Sequence, residues 1–476
     1  MNYKFQLLSL LFVLCFTSCS DDDKDTGISN DFVVAFEKQS ISFSSEETSS
    51  AINLVYSEEA SENGTISIIY TETNVSYSTD FTTSPAAESG VIEIPIEAGT
   101  IGTSFEFEKL TPNPTEGEAE KKVEFEISAI SLPNAFTQGN TKLLVSYNES
   151  ASLGGSFSPS VGGPNEGNQV YIDLSSQTEK IISRDKWDLA FYSGEEFRVK
   201  INSALLMMAA QLETTNIDNV AAGQVSELQT QMQFLQAGSD AFVDAPSGDI
   251  TETVINEIST TLEENKVYLL NMGSEIGTTE PDGPGSVAVG GDERGWMKIR
   301  ILQENGEYIL QYADLEATTH QEINIQKTPG YNFTFFSLIT ENIVNVEPAK
   351  EKWDLNFTVF TEVLDLPDED AMTAYGYSDY VATNVLAETK TYQVNTSEIT
   401  YSDFNLTNLD EASFEIDQRT IGSSWRNTIP PNRYIFNDIF YVVEDPEGNI
   451  YKLRFTAMMN ENGVRGYPEF EYSLLN

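Results

Sequence analysis

Between Asp31 and about Ser150, apolar and polar residues alternate in short runs separated by Gly, Asn, Ser and Thr. Ile52-Asn53-Leu54-Val55-Tyr56, Thr65-Ile66-Ser67-Ile68-Ile69-Tyr70, Val91-Ile92-Glu93-Ile94-Pro95-Ile96, Val123-Glu124-Phe125-Glu126-Ile127 and Leu143-Leu144-Val145-Ser146-Tyr147 each place apolar side chains on one face at period two. Strands of this kind, with turn signals between them, predict an antiparallel β-sandwich over residues 31–150. The Gly/Ser/Pro-rich stretch from Leu153 to Asn165 marks its boundary.

Beyond that boundary the pattern repeats. Lys186-Trp187-Asp188-Leu189-Ala190-Phe191 returns as Lys352-Trp353-Asp354-Leu355-Asn356-Phe357. Each copy is preceded by a strand-like run, Gln169 to Leu174 in the first and Tyr331 to Phe336 in the second. The closing pairs also correspond: Trp296 to Ile301 with Tyr308 to Tyr312, and Tyr451 to Phe455 with Phe470 to Leu474. Anchors matched in order indicate a duplication, with copies over 151–326 and 327–476. Alternation puts Trp187, Leu189 and Phe191 on one face and Asp188 on the other, placed to cap a turn or pair with a basic residue. Asp445-Pro446-Glu447-Gly448-Asn449 reads as a hairpin turn. The exception to β-patterning is 203–237, where Ala204 to Leu212 and Val225 to Leu235 space apolar residues three and four apart and read as helical insertions.

The first nineteen residues carry a basic start and the apolar run Leu7 to Cys15, too short to span a bilayer and built like a secretory signal peptide. Phe16-Thr17-Ser18-Cys19 resembles a bacterial lipobox, which makes Cys19 the expected lipidation site and residue one of the mature chain. The acidic tether at 20–30, with Ser20-Asp21-Asp22-Asp23-Lys24-Asp25, resembles the export signal of Bacteroidota-type surface lipoproteins. The expected location is therefore the outer membrane, lipid-anchored and facing outward. No later run offers the ~18 apolar residues a membrane span needs.

Composition narrows the chemistry. The chain has 476 residues, with 75 Asp+Glu against 26 Lys+Arg, a formal net charge of −49 and one histidine. That charge repels phosphate backbones, so nucleic acid is excluded as a partner, and it repels anionic head groups, which leaves the lipid as the membrane contact. The only cysteines are Cys15, in the signal peptide, and Cys19, so the mature chain offers no disulfide, zinc-thiolate site or cysteine nucleophile. No Gly-x-Ser-x-Gly elbow, P-loop or His-Glu-x-x-His is present. Asp368-Glu369-Asp370, and Asp188 with Asp354, are the carboxylates a glycosidase would draw on. With so many acidic residues such proximity arises by chance, and Asp188 and Asp354 belong to separate copies. The expectation is a non-enzymatic protein.

Two resemblances add to this reading. Ser78-Thr79-Asp80-Phe81, Gly90-Val91-Ile92-Glu93-Ile94 and the acidic Glu116-Gly117-Glu118-Ala119-Glu120 before the Val123 strand make the N-terminal region similar to a Calx-β-like or immunoglobulin-like module. It reads as a spacer or as a binding module, with calcium placed at its acidic loop ends although no loop has an EF-hand ligand order. Tyr171-Ile172-Asp173-Leu174, Lys186 to Phe191, Phe197 to Ser203, Tyr451 to Phe455 and Arg465-Gly466-Tyr467-Pro468 make residues 167–476 resemble the HmuY-like family of surface lipoproteins, in two copies. The resemblance implies an all-β, hand-shaped protein that binds haem or a related tetrapyrrole for iron acquisition and passes it to an outer-membrane receptor.

The iron ligands that the resemblance implies are paired histidines or methionines, and His320 alone excludes a bis-histidine site. Met207 and Met208 are the foremost candidates, then Met232, Met272, Met372 and His320. Each has a plain alternative: methionine fills cores, and His320 lies in the connection between copies. Tyr375, Tyr377 and Tyr380 would stack on a sugar ring or porphyrin, or pack in the core. The alternative function is a surface glycan- or protein-binding lipoprotein that has lost haem ligation.

Overall fold

The computed structural model describes residues 32–475 except 44–46, 116–117, 148–150, 284, 368–369 and 430–432. The expected signal peptide, Cys19, the expected acidic tether and the Asp368-Glu369 pair lie outside the described residues. The chain divides into two units. One comprises the N-terminal region to Phe157 with Ser175–Gln177 and Glu471–Leu474, and the other comprises Ser158–Leu174 and Thr178–Phe470 with the last two residues.

In the first unit the period-two runs form two five-stranded sheets. One runs in the order Phe81–Ser84, Gly102–Lys109, Ser49–Tyr56, Phe32–Phe36, Ala135–Thr137, and the other Ser40–Ser42, Lys142–Ser146, Lys122–Ile130, Gly64–Thr73, Val91–Ile96. The alternation buries Ile52, Leu54, Ile66, Ile68, Phe105 and Phe125 to 1% exposure or less in a common core, each contributing about 1.5–3 kcal/mol. The sandwich is not wholly antiparallel. Its first strand segment divides between the sheets, so Phe32–Phe36 pairs parallel with Ala135–Thr137, and Ser40–Ser42 pairs parallel with Lys142–Ser146.

The second unit is also β-structured, and its two sequence copies share sheets. In each copy a leading hairpin precedes the Trp-Asp motif and a trailing hairpin follows it. The leading hairpins are Asn168–Asp173 with Thr178–Ser183, and Phe333–Ser337 with Asn342–Val344. The trailing ones are Leu189–Tyr192 with Val199–Ile201, and Leu355–Leu366 with Ala371–Thr383. Each leading hairpin pairs with the trailing hairpin of the other copy. Ile172 stands opposite Leu355 and Tyr171 opposite Asn356, while Phe336 stands opposite Leu189 and Phe335 opposite Ala190. The exchange is reciprocal and in the same register, so residues correspond one to one between the copies. It also means that Asp188 and Asp354 belong to one packed unit.

The Trp-Asp motifs fasten this exchange. The Asp188 N–H donates to the Phe336 carbonyl and the Asp354 N–H to the Ile172 carbonyl. The Asp188 carboxylate accepts from the Leu338 N–H at 2.6 Å and that of Asp354 from the Leu174 N–H at 2.8 Å. Asn202 and Asn384 play matched parts, each donating its side-chain amide to two buried backbone carbonyls around its own Trp-Asp. Trp187 does not share a face with Leu189 and Phe191 as alternation suggests. The strand begins only at Leu189, and Trp187 packs with Ala190 instead.

The helical reading of 204–212 is corrected. Ser203–Leu205 is a single 3-10 turn capped by the Asn202 side chain, Leu206 has φ 59°, and Met208–Gln211 is a strand paired with Val267–Asn271. Both faces of this strand are buried, Met207 and Ala209 in one core cluster and Met208 and Ala210 in another. A strand covered on both sides reads as a continuous apolar run, which periodicity does not separate from a buried helix. The second insertion is helical over Ala222–Gln231. The turn at Asp445 to Asn449 forms as predicted, with the Asp445 carboxylate accepting from the Glu447 and Asn449 N–H groups.

Candidate ligand cavity between the two repeats

The reciprocal hairpins face each other across an aromatic layer. Tyr171 meets Trp353 edge-on at 5.0 Å and Phe335 meets Trp187 at 5.0 Å, the same contact made twice because Tyr171 corresponds to Phe335 and Trp187 to Trp353. Within this layer lies a cavity of about 90 Å³ lined by both indoles, by Lys200 and Glu347, and by Asn332 and Asn356. Gly248 and Gln418 complete the lining on one side. Gly248, at φ +86°, approaches so closely that a Cβ there would meet Val385 Cγ2 at 2.8 Å.

The polar character of the cavity arises where the copies differ. Trp187 Nε1 donates to Gln169 Oε1 at 2.8 Å. The counterpart of Gln169 is Phe333, so the indole N–H of Trp353, a residue 8% exposed, has no acceptor. The counterpart of Asn356 is Ala190, and Asn356 Oδ1 is buried without a donor, as is Asn332 Oδ1. Asn332 spends its amide on Asn384 Oδ1 at 2.9 Å. The counterpart of Lys200 is Ala382, because Ala190 pairs with Lys200 and Asn356 with Ala382 in the two trailing hairpins. Unpaired buried polar groups cost about 1–3 kcal/mol each.

Electrostatics fits the same picture. Burial pushes the Glu347 carboxyl up to about 8, despite N–H groups of Phe333 and Asn332 that favour its charged form. Burial lowers the Lys200 amine, with the Asp244 and Glu347 carboxylates acting in the opposite sense. Burial raises Asp244, opposed by Lys200 and by the N–H groups of Val254 and Ile201. The Lys200 side chain is half-buried, its ammonium makes no hydrogen bond or ion pair among the described residues, and it lies 6.0 Å from the Phe333 ring centroid.

The residues singled out from the sequence lie largely elsewhere. Met207, Met208, Met232 and Met272 are at 0% exposure inside hydrophobic clusters. Met207 also touches a void of about 10 Å³ that shares Lys200, Phe360 and Gln418 with the larger cavity. Met372 is on the surface. His320 Nδ1 lies 2.9 Å from Asp218 Oδ1 in the connection between copies. Tyr380 is in the core, stacked on Phe360 at 4.4 Å and donating to Glu362 Oε1 at 2.5 Å. Tyr375 and Tyr377 are half-buried with rings 4.8 Å apart. A bulge between Thr358 and Phe360 changes the register, so that Tyr377 and Tyr380 join one cluster although three positions apart. Asp188 is held by Arg294 at 2.7 Å and Asp354 by the Leu174 N–H, so both serve the fold and form no pair for glycoside hydrolysis.

The described residues do not fit a haem as arranged. No methionine pair or histidine faces a common opening, and about 90 Å³ lies below the 300–1,000 Å³ usual for drug-sized ligands. In the sandwich, no group of three or more metal-ligating side chains occurs among the described residues. Asp80, at one of its loop ends, is already engaged by Lys121 at 3.3 Å and Thr111 at 2.8 Å. No helix among the described residues is long and apolar enough to cross a membrane. Lys200, Glu347, Asn332 and Asn356 were not reachable from motifs. The one signal for Lys200, Glu347 and Asn356 is that they differ from their counterparts in the other copy, whereas Asn332 corresponds to Asn168 and carries no such signal.

The family model described as HmuY protein matches residues 165–319 and 330–472. No curated protein matches the chain. Among solved structures, the apo form of the Calx CBD1 domain is similar at 12% identity and TM-score 0.20, covering 24% of this chain and 94% of that one. A putative HmuY_like heme binding protein from Bacteroides vulgatus ATCC 8482 is similar at 11% identity and TM-score 0.17, covering 67% of this chain and 91% of that one. A putative carbohydrate binding protein from Bacteroides ovatus ATCC 8483 is similar at 10% identity and TM-score 0.15, covering 74% and 97%. All three TM-scores are low.

Proposed function

The chain belongs to the HmuY family, and on that premise we propose that it is a non-enzymatic, surface-held binding protein whose ligand site is the cavity shared by its two repeats. The observation that carries this reading is the cavity of about 90 Å³ in the aromatic layer, lined by residues of both repeats and carrying the side chains of Lys200, Glu347, Asn332 and Asn356. The family's tetrapyrrole ligand is not the one this cavity suits. The acidic tether and a lipid on Cys19 would hold the protein at the outer face of the outer membrane, where a receptor could take the ligand from it.

The test compares the full mature chain with Ala190→Leu, which fills the cavity from the strand that crosses Phe335. Both are titrated with haemin and with a panel of small carboxylates, polyols and short glycans. The expected result is a small-molecule signal in the unaltered chain that Ala190→Leu removes, with a free-haemin spectrum throughout. A Soret shift abolished by Met207→Leu or Met208→Leu would overturn the proposal in favour of haem. Glycan binding lost on changing Tyr375 or Tyr377, and indifferent to Ala190→Leu, would overturn it in favour of a surface site.

A further inference from the structure

We propose that the Glu166 and Asp379 carboxyls share one proton, and that this proton is a pH-sensitive latch between the start of the first repeat and the second repeat. Glu166 is 1% exposed and Asp379 4%. Glu166 Oε2 accepts from the Asp379 N–H at 2.8 Å, a contact across 213 positions of the chain, and the two side chains lie within hydrogen-bonding reach of each other. Their remaining oxygens, Glu166 Oε1 and Asp379 Oδ1, are both buried without a donor. Ionised carboxylates only accept, so two of them cannot satisfy each other. One proton turns one of them into a donor and gives both oxygens a partner.

The surrounding charges decide where that proton sits. Asp379 Oδ2 is bound by Arg465 Nε at 2.5 Å and lies 3.6 Å from Arg426 Nε. The other arms of these guanidiniums are spent on Ser378, Arg426 on its carbonyl and Arg465 on its hydroxyl. Arg426 also donates to the Ser423 carbonyl and lies over the Tyr377 ring. Arg184, packed against the turn that carries Glu166, gives its donors to the carbonyls of Glu166, Ala204 and Val289. Among the described residues no guanidinium hydrogen-bonds the Glu166 carboxyl, so Glu166 holds the proton and Asp379 the charge. Burial, and after it the Asp379 charge, raise Glu166 well above the ordinary carboxyl range, with Arg465 acting in the opposite sense.

The backbone marks the same two residues. Glu166 at φ 45° and Asp379 at φ 48° both occupy the left-handed region, which residues other than glycine enter at a cost. Such strain persists where the surrounding structure over-determines it. Here Gly466 approaches the Gly163 carbonyl so closely that a Cβ would overlap it, and the Asn165 amide donates to the Thr279 and Ala288 carbonyls. The turn at 162–167 is therefore held by three segments distant in sequence, and the shared proton sits where it meets Asp379. A carboxyl raised in the folded state contributes fully below its unfolded value of about 4 and loses that contribution as pH rises through its folded value. Alkaline pH should accordingly release the latch, leaving two buried carboxylates facing each other.

The experiment compares the full mature chain with Glu166→Gln, whose amide keeps the acceptor for the Asp379 N–H and offers Asp379 Oδ1 a donor that pH does not remove. Infrared difference spectra at pH 7 should show a protonated-carboxyl band in the unaltered chain that the variant lacks. Hydrogen exchange of peptides spanning 162–167 and 375–380, corrected for its intrinsic pH dependence, should lose protection about tenfold or more from pH 6 to pH 10 in the unaltered chain, and less than about twofold in Glu166→Gln. Absence of the band, or equal loss of protection in both chains, would overturn the proposal. So would a Glu166→Gln chain that is unprotected or unfolded at pH 6, because its amide supplies the same hydrogen bonds as the protonated acid.

Discussion

Asp354 occupies the place in its repeat that Asp188 occupies in the other, yet only Asp188 has an arginine. Arg294 Nη2 lies 2.7 Å from Asp188 with both side chains buried, whereas Asp354 is raised well above the ordinary carboxyl range by burial and by the neighbouring Asp173. The same clasp therefore carries an ion pair with arginine in one copy and lacks one in the other. Arg294→Met should leave the Asp188 charge buried and unpaired, at a cost of about 3–5 kcal/mol. Asp354→Asn keeps the acceptor that the Leu174 N–H needs and should change stability by less than about 1 kcal/mol. Urea unfolding of the two variants checks the contrast, and equal losses would show that the two clasps are alike.

Stability should fall between mildly acidic and mildly alkaline pH. Glu347 is pushed up to about 8 by burial, Glu166 is raised by burial and by the Asp379 charge, and Asp354 and Asp244 are raised as well. A carboxyl whose folded-state value lies above its unfolded value of about 4 holds its proton better when folded. Its contribution is therefore complete below about pH 4 and is lost as pH rises through the folded value. For Glu347 that window runs from about 4.5 to about 8. Thermal melts should show a lower Tm at pH 8 than at pH 5, by roughly 2–4 °C per kcal/mol lost. Glu347→Gln should flatten the profile. A Tm that rises over this interval would refute the assignment.

Asn202 and Asn384 should be worth the same to the fold. Each amide bridges two carbonyls at 2.8 or 2.9 Å, and each Oδ1 accepts from a further donor, the Ala204 N–H at Asn202 and the Asn332 amide at Asn384, so replacing either by alanine leaves two acceptors and one donor unsatisfied. The expected loss is about 2–4 kcal/mol per site. Chemical denaturation of the single variants measures it, and a marked inequality would show that the correspondence between the copies does not extend to energetics.

The hairpin exchange predicts that the repeats stay together after the chain is cut between them. A protease site placed at the exposed Pro329-Gly330 turn should give two fragments that co-elute on size exclusion and separate only in denaturant. Two independently eluting folded fragments would mean that each repeat closes on itself.

Much was already written in the order of residues. Alternation at Ile52 to Tyr56 and Val123 to Ile127 identified the sandwich strands, because period two in a half-buried strand has one physical meaning. The Trp187-Asp188 and Trp353-Asp354 motifs, with their flanking strands, identified the duplication, because a repeated pattern of apolar positions needs the same partners twice. What no pattern of one chain states is which partner. A hairpin such as Asn168 to Ser183 presents the same faces to its own repeat or to the other, so the reciprocal exchange was decided only in three dimensions. The strand at Met208 to Gln211 was likewise settled by cover on both faces, which makes an apolar run that looks helical and turns candidate ligands at Met207 and Met208 into core. The cavity follows from the same cause. Gln169 against Phe333, Ala190 against Asn356 and Lys200 against Ala382 are unremarked differences along the sequence. They become a site only when the exchanged register brings them to one space.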